Sequence, residues 1–233
     1  MRRQALLAFD FDGTLAPIVP HPDDARVPLP VARRLHQLSR VRPLAVVTGR
    51  SIADVTERLD FAPHHIVGNH GIENPQDPGH GQWGEALSDF RHALRTNASV
   101  LAESGVLIED KGLSIALHYR LAPDRARAVA AVESLYLGHS SGLSILGGKC
   151  VFNVMAAGAP DKGDALLSLV ERIGADAALF VGDDLNDEAA FEKAPPDWVT
   201  VRIGRNHPAS HARFYLDLPA QLPLLLQMLI DYA

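Results

Sequence analysis

The sequence predicts an α/β protein whose doubly wound, mostly parallel core sheet is interrupted by an inserted α/β domain. Near both ends of the chain, short apolar runs alternate with amphipathic helical patterns, as in parallel strands joined by crossover helices. From about residue 79 to residue 157 the order becomes helix, hairpin, helix, hairpin. We therefore place the core in residues 1–78 and 158–233 and the inserted domain in residues 79–157.

The first core segment contains three predicted strands and two helices. Ala5–Phe9 is a buried apolar run, and residues 28–38 have a proline in the first helical turn and apolar residues along one face. Leu44–Val47 is the second strand. Ser51 caps a helix over residues 51–59, and residues 66–67 form the third strand.

The inserted domain follows a stretch at residues 74–84 that is rich in Pro, Gly and polar residues. The pattern predicts a helix over 85–103, strands at 106–109 and 113–118, a helix over 123–137, and strands at 143–146 and 150–154. Gly147-Gly148 would join the last two strands. Two equivalent hairpins would present Lys111 and Lys149 side by side.

The α/β rhythm returns after a second hinge at residues 156–160. The predicted elements are a helix over Lys162–Ile173, a strand at 177–181, a helix at 185–191, a strand at 198–202 and a closing helix at 219–229. Together with the first segment they complete a Rossmann-like core sheet.

Composition limits the possible partners and the compartment. The 233 residues carry 22 Lys and Arg against 28 Asp and Glu, and the net charge of −6 argues against nucleic acid or an anionic membrane as the main partner. Asp10 and Asp12 cut the first apolar run before it reaches signal-peptide length. Cys150 is the one cysteine, which favours a reducing compartment. We expect a cytoplasmic monomer.

Three predicted strands end in polar clusters. The first is followed by Asp-Phe-Asp-Gly-Thr at residues 10–14, the second by Thr-Gly-Arg at 48–50, and a later one by Gly-Asp-Asp-Leu-Asn-Asp at 182–187. Sites in open α/β sheets lie at the carboxyl ends of the strands, so these clusters should meet in one crevice.

That crevice would hold several carboxylates, which repel one another by about 4 kcal/mol per pair at an effective dielectric constant near 20. Oxygen ligands without His or Cys suit Mg²⁺, and a carboxylate-bound Mg²⁺ in turn suits a phosphate. Thr48 offers a hydroxyl, Gly49 a backbone N–H and Lys162 a point charge to bind that phosphate.

Each cluster alone is compatible with a turn or a helix N-cap, but all three in this order favour a Mg²⁺-dependent phosphohydrolase. Two non-enzymatic classes remain as rivals. One is a signalling receiver that accepts a phosphoryl group on Asp without turnover, and the other is a sugar-phosphate sensor. The second Asp of the first cluster favours the enzyme, because hydrolysis needs an acid/base group there.

The order of the clusters resembles the haloacid dehalogenase superfamily of phosphotransferases. The resemblance implies that Asp10 attacks phosphorus and forms an aspartyl phosphate, and that Asp12 protonates the leaving oxygen and then activates water. It also implies that Asp10, the Asp12 carbonyl and Asp183 bind Mg²⁺, with Asp184 and Asp187 in support.

Further segments resemble the trehalose-6-phosphate phosphatase family. They are Gly-Asn-His-Gly-Ile-Glu at 68–73, Glu-Asp-Lys-Gly at 109–112, His-Tyr-Arg at 118–120 and Gly-Lys at 148–149. In that family the insert is a mobile cap that holds sugar hydroxyls. By position, the resemblance assigns substrate binding to Glu109, Lys111, Arg120 and Lys149, and His70 is a further candidate contact.

One position departs from the family pattern. The family places a Glu four residues after the second hairpin Lys, and this chain has Asn153 there. Asn153 keeps a hydrogen-bonding side chain but loses the charge. A phosphatase acting on another disaccharide phosphate or on a glycosyl phosphoglycerate is therefore the alternative to a trehalose-6-phosphate phosphatase.

Overall fold

The structure, a computed structural model, describes residues 5–76, 81–205 and 209–232. The chain divides into two compact units: Met1–Asn74 with Pro160–Ala233, and Pro75–Ala159. The predicted domain boundary between residues 78 and 79 lies outside the described residues. Over the described ranges, no helix combines the length and apolar character that crossing a bilayer requires.

The first unit, which we call the core unit, contains a six-stranded sheet. Numbered along the whole chain, its strands are β1 (Ala5–Phe9), β2 (Leu44–Val47), β3 (His65–Val67), β8 (Ala177–Gly182), β9 (Val199–Ile203) and β10 (Phe214–Leu216). They lie in the order β10-β9-β8-β1-β2-β3, and every pairing is parallel. The predicted doubly wound sheet is thereby confirmed.

Helices cover both faces of this sheet. They are α1 (Leu29–Leu38), α2 (Ile52–Thr56), α7 (Lys162–Ile173), α8 (Glu188–Lys193) and α9 (Leu222–Asp231). Alternation along β1 sends Leu7 and Phe9 into one apolar cluster with residues of α1 and α9, and Leu6 and Ala8 into another with residues of α7 and α8. The two-sided burial explains why the strands are continuous apolar runs.

The core elements differ from the predicted ones at their edges. Ser51 caps α2 as predicted, accepting a hydrogen bond from the Asp54 N–H at 3.2 Å, but α2 ends at Thr56 instead of residue 59. The predicted helix at 185–191 begins as a 3₁₀ turn, Leu185–Asp187. Strand β10 was not predicted; it lies at the edge of the sheet, where it pairs with β9.

The second unit, which we call the inserted unit, contains a four-stranded antiparallel sheet. Its strands are β4 (Leu107–Asp110), β5 (Ile115–His118), β6 (Leu143–Gly148) and β7 (Val151–Ala156), in the order β4-β5-β7-β6. Its helices are α3 (Gly81–Glu85), α4 (Ser88–Thr96), α5 (Ala98–Glu103) and α6 (Arg125–Leu137). Ile115, Leu117 and Val154 pack with α4, α5 and α6 in one apolar cluster.

Two predictions for the inserted unit were wrong in detail. The predicted helix over 85–103 is interrupted twice. Helix α3 ends at Glu85 and α4 begins at Ser88, and Asn97, with φ −104° and ψ 14°, separates α4 from α5. The turn between β6 and β7 is Lys149-Cys150 instead of Gly147-Gly148, because both glycines extend the ladder and pair with Phe152 and Val151. Cys150 takes the left-handed conformation that this tight turn requires, at φ 64°.

The prediction that Lys111 and Lys149 lie side by side is also wrong. Strand β5 is antiparallel to both β4 and β7, and its Ile115 end adjoins the β4–β5 turn that carries Lys111. Its His118 end pairs with Val151, next to the turn that carries Lys149. The two turns therefore lie at opposite ends of β5, about 10 Å apart along the strand.

Candidate active site

The carboxyl ends of three neighbouring strands carry the predicted core site. Strands β8, β1 and β2 are adjacent and parallel, so the residues that follow them meet at one edge of the sheet. Asp10 directly follows β1, Thr48 follows β2 and Asp183 follows β8. The parallel register explains how segments far apart in the sequence contribute to one site.

Three buried carboxylates lie together at this edge. Asp10, Asp183 and Asp187 each place an oxygen within 4.8 Å of the others, and all three residues are buried. The Thr14 hydroxyl donates a hydrogen bond to Asp183 Oδ1 at 3.1 Å, which orients that carboxylate. A cluster made only of oxygen donors is suited to a hard divalent cation such as Mg²⁺.

Lys162 contributes a positive charge to this cluster. Its Nζ lies 2.8 Å from Asp10 Oδ1 and 2.7 Å from Asp187 Oδ1, and it donates a hydrogen bond to Asn186 Oδ1 at 3.2 Å. Lys162 is only 1% exposed. The predicted phosphate ligand is therefore held against the predicted nucleophile.

The electrostatics of the cluster favour a further cation. Burial raises the pKa of Asp10 well above its usual range; Lys162 opposes the shift, and Asp187 and Asp183 add to it. Burial alone would lower the pKa of Lys162, but Asp10 and Asp187 outweigh it and raise that pKa. A bound divalent cation would favour the ionised form of Asp10.

Asp187 organises the loop after β8. Its Oδ2 accepts hydrogen bonds from the backbone N–H groups of Asp183 and Asp184 at 2.8 and 2.9 Å. A Cβ at Gly182 would overlap the Asp187 carboxylate, so this approach requires glycine. Asp184 accepts a hydrogen bond from the Leu185 N–H at 2.9 Å. These bonds fix the backbone of the loop that carries Asp183.

Gly13→Ala is expected to lower both stability and activity, because it adds a steric clash at the site to the strain of a left-handed backbone. Gly13 has φ +87°, and a Cβ there would overlap the Asp183 carboxylate. We expect a loss of about 2–3 kcal/mol in the free energy of unfolding and a fall of about 100-fold in kcat/KM. Urea unfolding and phosphate release measure the two effects.

Gly174→Ala is the matched control for that substitution. Gly174 has φ +65°, but a Cβ there meets open space, so the expected cost is about 1 kcal/mol with activity unchanged. Equal effects of the two substitutions on activity would show that Gly13 does not position Asp183.

Asp12 has a different partner from the other core carboxylates. Arg50 Nε lies 2.7 Å from Asp12 Oδ2, and Arg50 Nη2 lies 2.8 Å from Asp12 Oδ1, a two-bond fork. The Asp12 side chain remains 38% exposed. Within the described residues, the buried carboxylate cluster contains the side chain of Asp187 and not that of Asp12.

The end of β2 and the loop after β3 are joined through Thr48 and Gly49. The Thr48 carbonyl accepts the His70 N–H at 2.9 Å, and the Thr48 hydroxyl accepts the Arg50 N–H at 3.2 Å. A Cβ at Gly49 would overlap the His70 imidazole. The structure thus places His70 directly against the predicted phosphate-binding segment.

In the inserted unit, two of the predicted substrate residues form a charged cluster. Glu109 Oε2 lies 3.7 Å from Lys111 Nζ and 2.8 Å from His118 Nε2. Glu109 is also in a cross-strand row with Ala116 and Asn153, on the face of the sheet opposite the apolar cluster. Asn153 is buried. Glu109 on β4 and Asn153 on β7 therefore share one face of the sheet, with β5 between them.

The other two predicted substrate residues lie together near the β6–β7 turn. The Arg120 guanidinium donates a hydrogen bond to the Lys149 carbonyl at 3.0 Å. The inserted unit therefore separates the predicted set into a group with Glu109 and Lys111 and a group with Arg120 and Lys149.

Two contacts of the predicted site residues were not expected from the sequence: that of Arg50 with Asp12 and that of His118 with Glu109. Arg50 follows the Thr-Gly pair directly, and its place in that cluster was the available signal. The alternation of β5 was the signal for His118, because residues 116 and 118 share one face of a strand.

The sequence matches a known protein family. The family model Trehalose-phosphatase matches residues 8–216. The trehalose-phosphate phosphatase of Mycobacterium marinum is 32% identical over 228 residues, which cover 92% of this chain and 58% of that protein. The chain thus spans a little over half the length of this relative.

Solved structures share the fold. A crystal structure of a trehalose-6-phosphate phosphatase related protein has a TM-score of 0.79 at 23% identity, with 98% of each chain covered. A haloacid dehalogenase-like hydrolase from Bacteroides thetaiotaomicron has a TM-score of 0.68 at 14% identity, covering 97% of this chain and all of that one. With the family match over nearly the whole sequence, these findings show that the chain belongs to the trehalose-phosphatase family.

Proposed function

We propose that this protein is a Mg²⁺-dependent phosphatase that releases phosphate from trehalose 6-phosphate through an aspartyl phosphate on Asp10. The observation that carries the proposal is the buried pairing of Asp10 with Lys162 inside a carboxylate cluster at the carboxyl edge of a parallel sheet. The family to which the chain belongs supports the reaction class.

Asp10 is the proposed nucleophile. One carboxylate oxygen forms a bond to phosphorus as the bond between phosphorus and the leaving oxygen breaks, and Asp12 donates a proton to that oxygen. Asp12 then takes a proton from water, whose oxygen attacks phosphorus and releases Asp10. Lys162 lies 2.8 Å from Asp10 and offsets the charge that builds up on the phosphoryl oxygens.

The phosphate is bound by groups at the end of β2. Thr48 supplies a hydroxyl and Gly49 a backbone N–H, and Lys162 adds a charge from α7. The contact of the His70 ring with Gly49 makes His70 a further candidate to contact the substrate.

Magnesium fits the donor set, which consists of oxygens alone. Asp10, the Asp12 carbonyl and Asp183 would hold the ion, with Asp184 and Asp187 supporting the loop that carries Asp183. The bound ion would supply positive charge that polarises the phosphoryl group. Asp187 suits the supporting role because both of its oxygens already accept hydrogen bonds.

We propose that the inserted unit is the cap that recognises the sugar. Its candidate contacts are Glu109, Lys111, Arg120, Lys149 and Asn153. Charged and amide groups make directional hydrogen bonds to hydroxyl groups, which suits a disaccharide. Relatives that are 32% identical bear the name trehalose-phosphate phosphatase, and this supports trehalose 6-phosphate as the substrate.

Asn153 keeps one alternative substrate class open. It is buried in the row that begins at Glu109 and has no negative charge to offer a sugar hydroxyl. Another disaccharide phosphate or a glycosyl phosphoglycerate is the second candidate.

A phosphate-release screen with Mg²⁺ over sugar phosphates, glycosyl phosphoglycerates and 4-nitrophenyl phosphate tests the proposal. We expect trehalose 6-phosphate to give the highest kcat/KM. A higher value for another sugar would change the substrate and keep the chemistry. No phosphate release from any compound would contradict the enzyme and favour a phosphate-accepting or sugar-phosphate-sensing module.

Lys111→Ala is expected to raise KM for the sugar phosphate about tenfold and to leave KM for 4-nitrophenyl phosphate within about twofold. Loss of one charge-assisted hydrogen bond to a sugar hydroxyl corresponds to about 1.5 kcal/mol or more, and the aryl ester has no such hydroxyl. Lys193→Ala, which removes an exposed lysine of the core unit, should change neither KM. Equal changes on both substrates for Lys111→Ala would argue against sugar recognition by this residue.

The proposal includes the cytoplasm as compartment and a monomer as the working form, with no nucleic acid or membrane as partner. One cysteine in the chain and a net charge of −6 support these assignments. Fractionation of cells and size-exclusion chromatography with light scattering test them.

A further inference from the structure

Arg50 binds Asp12 through both of its carboxylate oxygens. The Nε and Nη2 contacts, at 2.7 and 2.8 Å, match the geometry that a planar guanidinium makes with a carboxylate. Arg50 Nη2 also donates to the Pro22 carbonyl at 2.9 Å, and the guanidinium lies 5.2 Å from the centre of the Phe11 ring. These contacts fix the orientation of the guanidinium plane.

Further hydrogen bonds hold Arg50 on the side away from Asp12. Arg50 Nη1 donates to Asp54 Oδ2 at 2.7 Å, and Asp54 in turn accepts hydrogen bonds from Arg58. Arg58 also donates to the Asp23 carbonyl at 2.7 Å. Arg50 and Arg58 are both buried although they are charged. Buried arginines retained in such a network have a fixed direction, because every alternative rotamer would leave a charge without its partner.

We propose that Arg50 is a positioning residue for Asp12 that fixes the direction in which the Asp12 side chain reaches the leaving oxygen. The inference rests on the proposed function, in which Asp12 is the acid and base. The structure supports it because the fork contacts both side-chain oxygens of Asp12 while that side chain stays 38% exposed.

Asp12 transfers a proton in both steps of the proposed reaction, and the contact with Arg50 acts in these transfers. In the first step the Asp10–phosphorus bond forms, the bond from phosphorus to the leaving oxygen breaks, and the proton passes from Asp12 to that oxygen. Arg50 keeps the Asp12 side chain directed at the leaving oxygen during this transfer. In the second step Asp12 takes a proton from water as the water oxygen bonds to phosphorus and Asp10 leaves.

This role predicts a dependence on the leaving group. A basic leaving oxygen needs the proton in the transition state, whereas a weakly basic phenolate departs without it. An arginine that merely stabilised the fold would affect all substrates alike. Phenyl, 4-nitrophenyl and 2,4-dinitrophenyl phosphate differ in the basicity of the leaving oxygen and little in size. Their kcat/KM values report the steps up to departure of the leaving group.

For Arg50→Gln we expect kcat/KM to fall about 100-fold with phenyl phosphate and less than about fivefold with 2,4-dinitrophenyl phosphate, since general acid catalysis contributes at least about 100-fold. Arg50→Lys should lie between wild type and Arg50→Gln, because lysine makes one contact where arginine makes two. If Arg50→Gln does not fold, the series with Arg50→Lys decides the question by the same difference between substrates.

Arg213→Gln is the matched control. Arg213 donates to the carbonyls of Ala194, Pro195, Pro196 and Trp198, and over residues 5–76, 81–205 and 209–232 no hydrogen bond joins it to Asp12. Its loss should leave the ratio between the substrates unchanged.

An equal loss on all three esters in Arg50→Gln would overturn the positioning role. The proposed function fails separately, if wild type hydrolyses none of the esters and no sugar phosphate.

Discussion

Asp10→Asn is expected to lower kcat by at least about 10³-fold while the protein stays folded. Asparagine cannot form the acyl phosphate, and removal of a covalent nucleophile in other hydrolases costs up to about 10⁶-fold. The variant keeps the shape of the side chain and removes one of three clustered negative charges. Phosphate release with Mg²⁺ measures the rate. Retention of a tenth of the wild-type rate would exclude Asp10 as nucleophile.

The same variant has an expected signature in stability against pH. Because burial raises the pKa of Asp10 in the folded protein, Asp10 binds its proton more tightly when folded than when unfolded. In metal-free protein this group therefore adds stability at low pH, and the contribution is lost as pH rises through the folded pKa. Asp10→Asn should remove that part of the pH dependence, measured by urea unfolding in EDTA. An unchanged dependence of stability on pH would show that the folded protein does not raise the pKa of Asp10.

Lys162→Met is expected to lower the free energy of unfolding by about 3–5 kcal/mol, the largest stability effect we predict. Lys162 is 1% exposed and pairs with two buried carboxylates, Asp10 and Asp187. Its removal leaves these charges without their counter-charge. The deficit should shrink as pH falls, since a protonated Asp10 needs no cation. Urea unfolding of metal-free protein at several pH values measures this.

Lys193→Met is the matched control for that experiment. Lys193 Nζ also lies between two carboxylates, 2.7 Å from Asp161 and 2.8 Å from Asp164, but its side chain is 36% exposed. Exposed pairs contribute about 0–1 kcal/mol. If both variants lost the same free energy of unfolding, burial would not be the reason that the Lys162 ion pairs stabilise the protein.

The core fold and the location of its site could be predicted because both follow from local patterns. Buried parallel strands are apolar runs, and polar residues directly after them must lie at one edge of the sheet. This reasoning put Asp10, Thr48 and Asp183 at the carboxyl ends of adjacent strands, where the structure has them. It missed β10, whose three residues form a strand only because β9 offers a parallel edge.

Strand order in the inserted unit depended on tertiary pairing. Two hairpins can join in several orders, and pairing of β5 with β7 reverses the second hairpin relative to the first. For that reason Lys111 and Lys149 lie at opposite ends of the sheet. Partners such as Arg50 with Asp12 depend on side-chain direction across 38 residues of sequence, for which sequence periodicity carries no signal.

Covalent transfer of phosphate to Asp10 is the central claim, and trapping the intermediate tests it most directly. Protein mixed with Mg²⁺ and trehalose 6-phosphate, quenched in acid within milliseconds and mapped by peptide mass spectrometry, should carry a phosphoryl group on Asp10. Asp12→Asn should accumulate more of it with a 2,4-dinitrophenyl phosphate donor, because hydrolysis of the intermediate lacks its base. A phosphoryl group on another residue, or turnover with Asp10 unmodified in both proteins, would contradict the account.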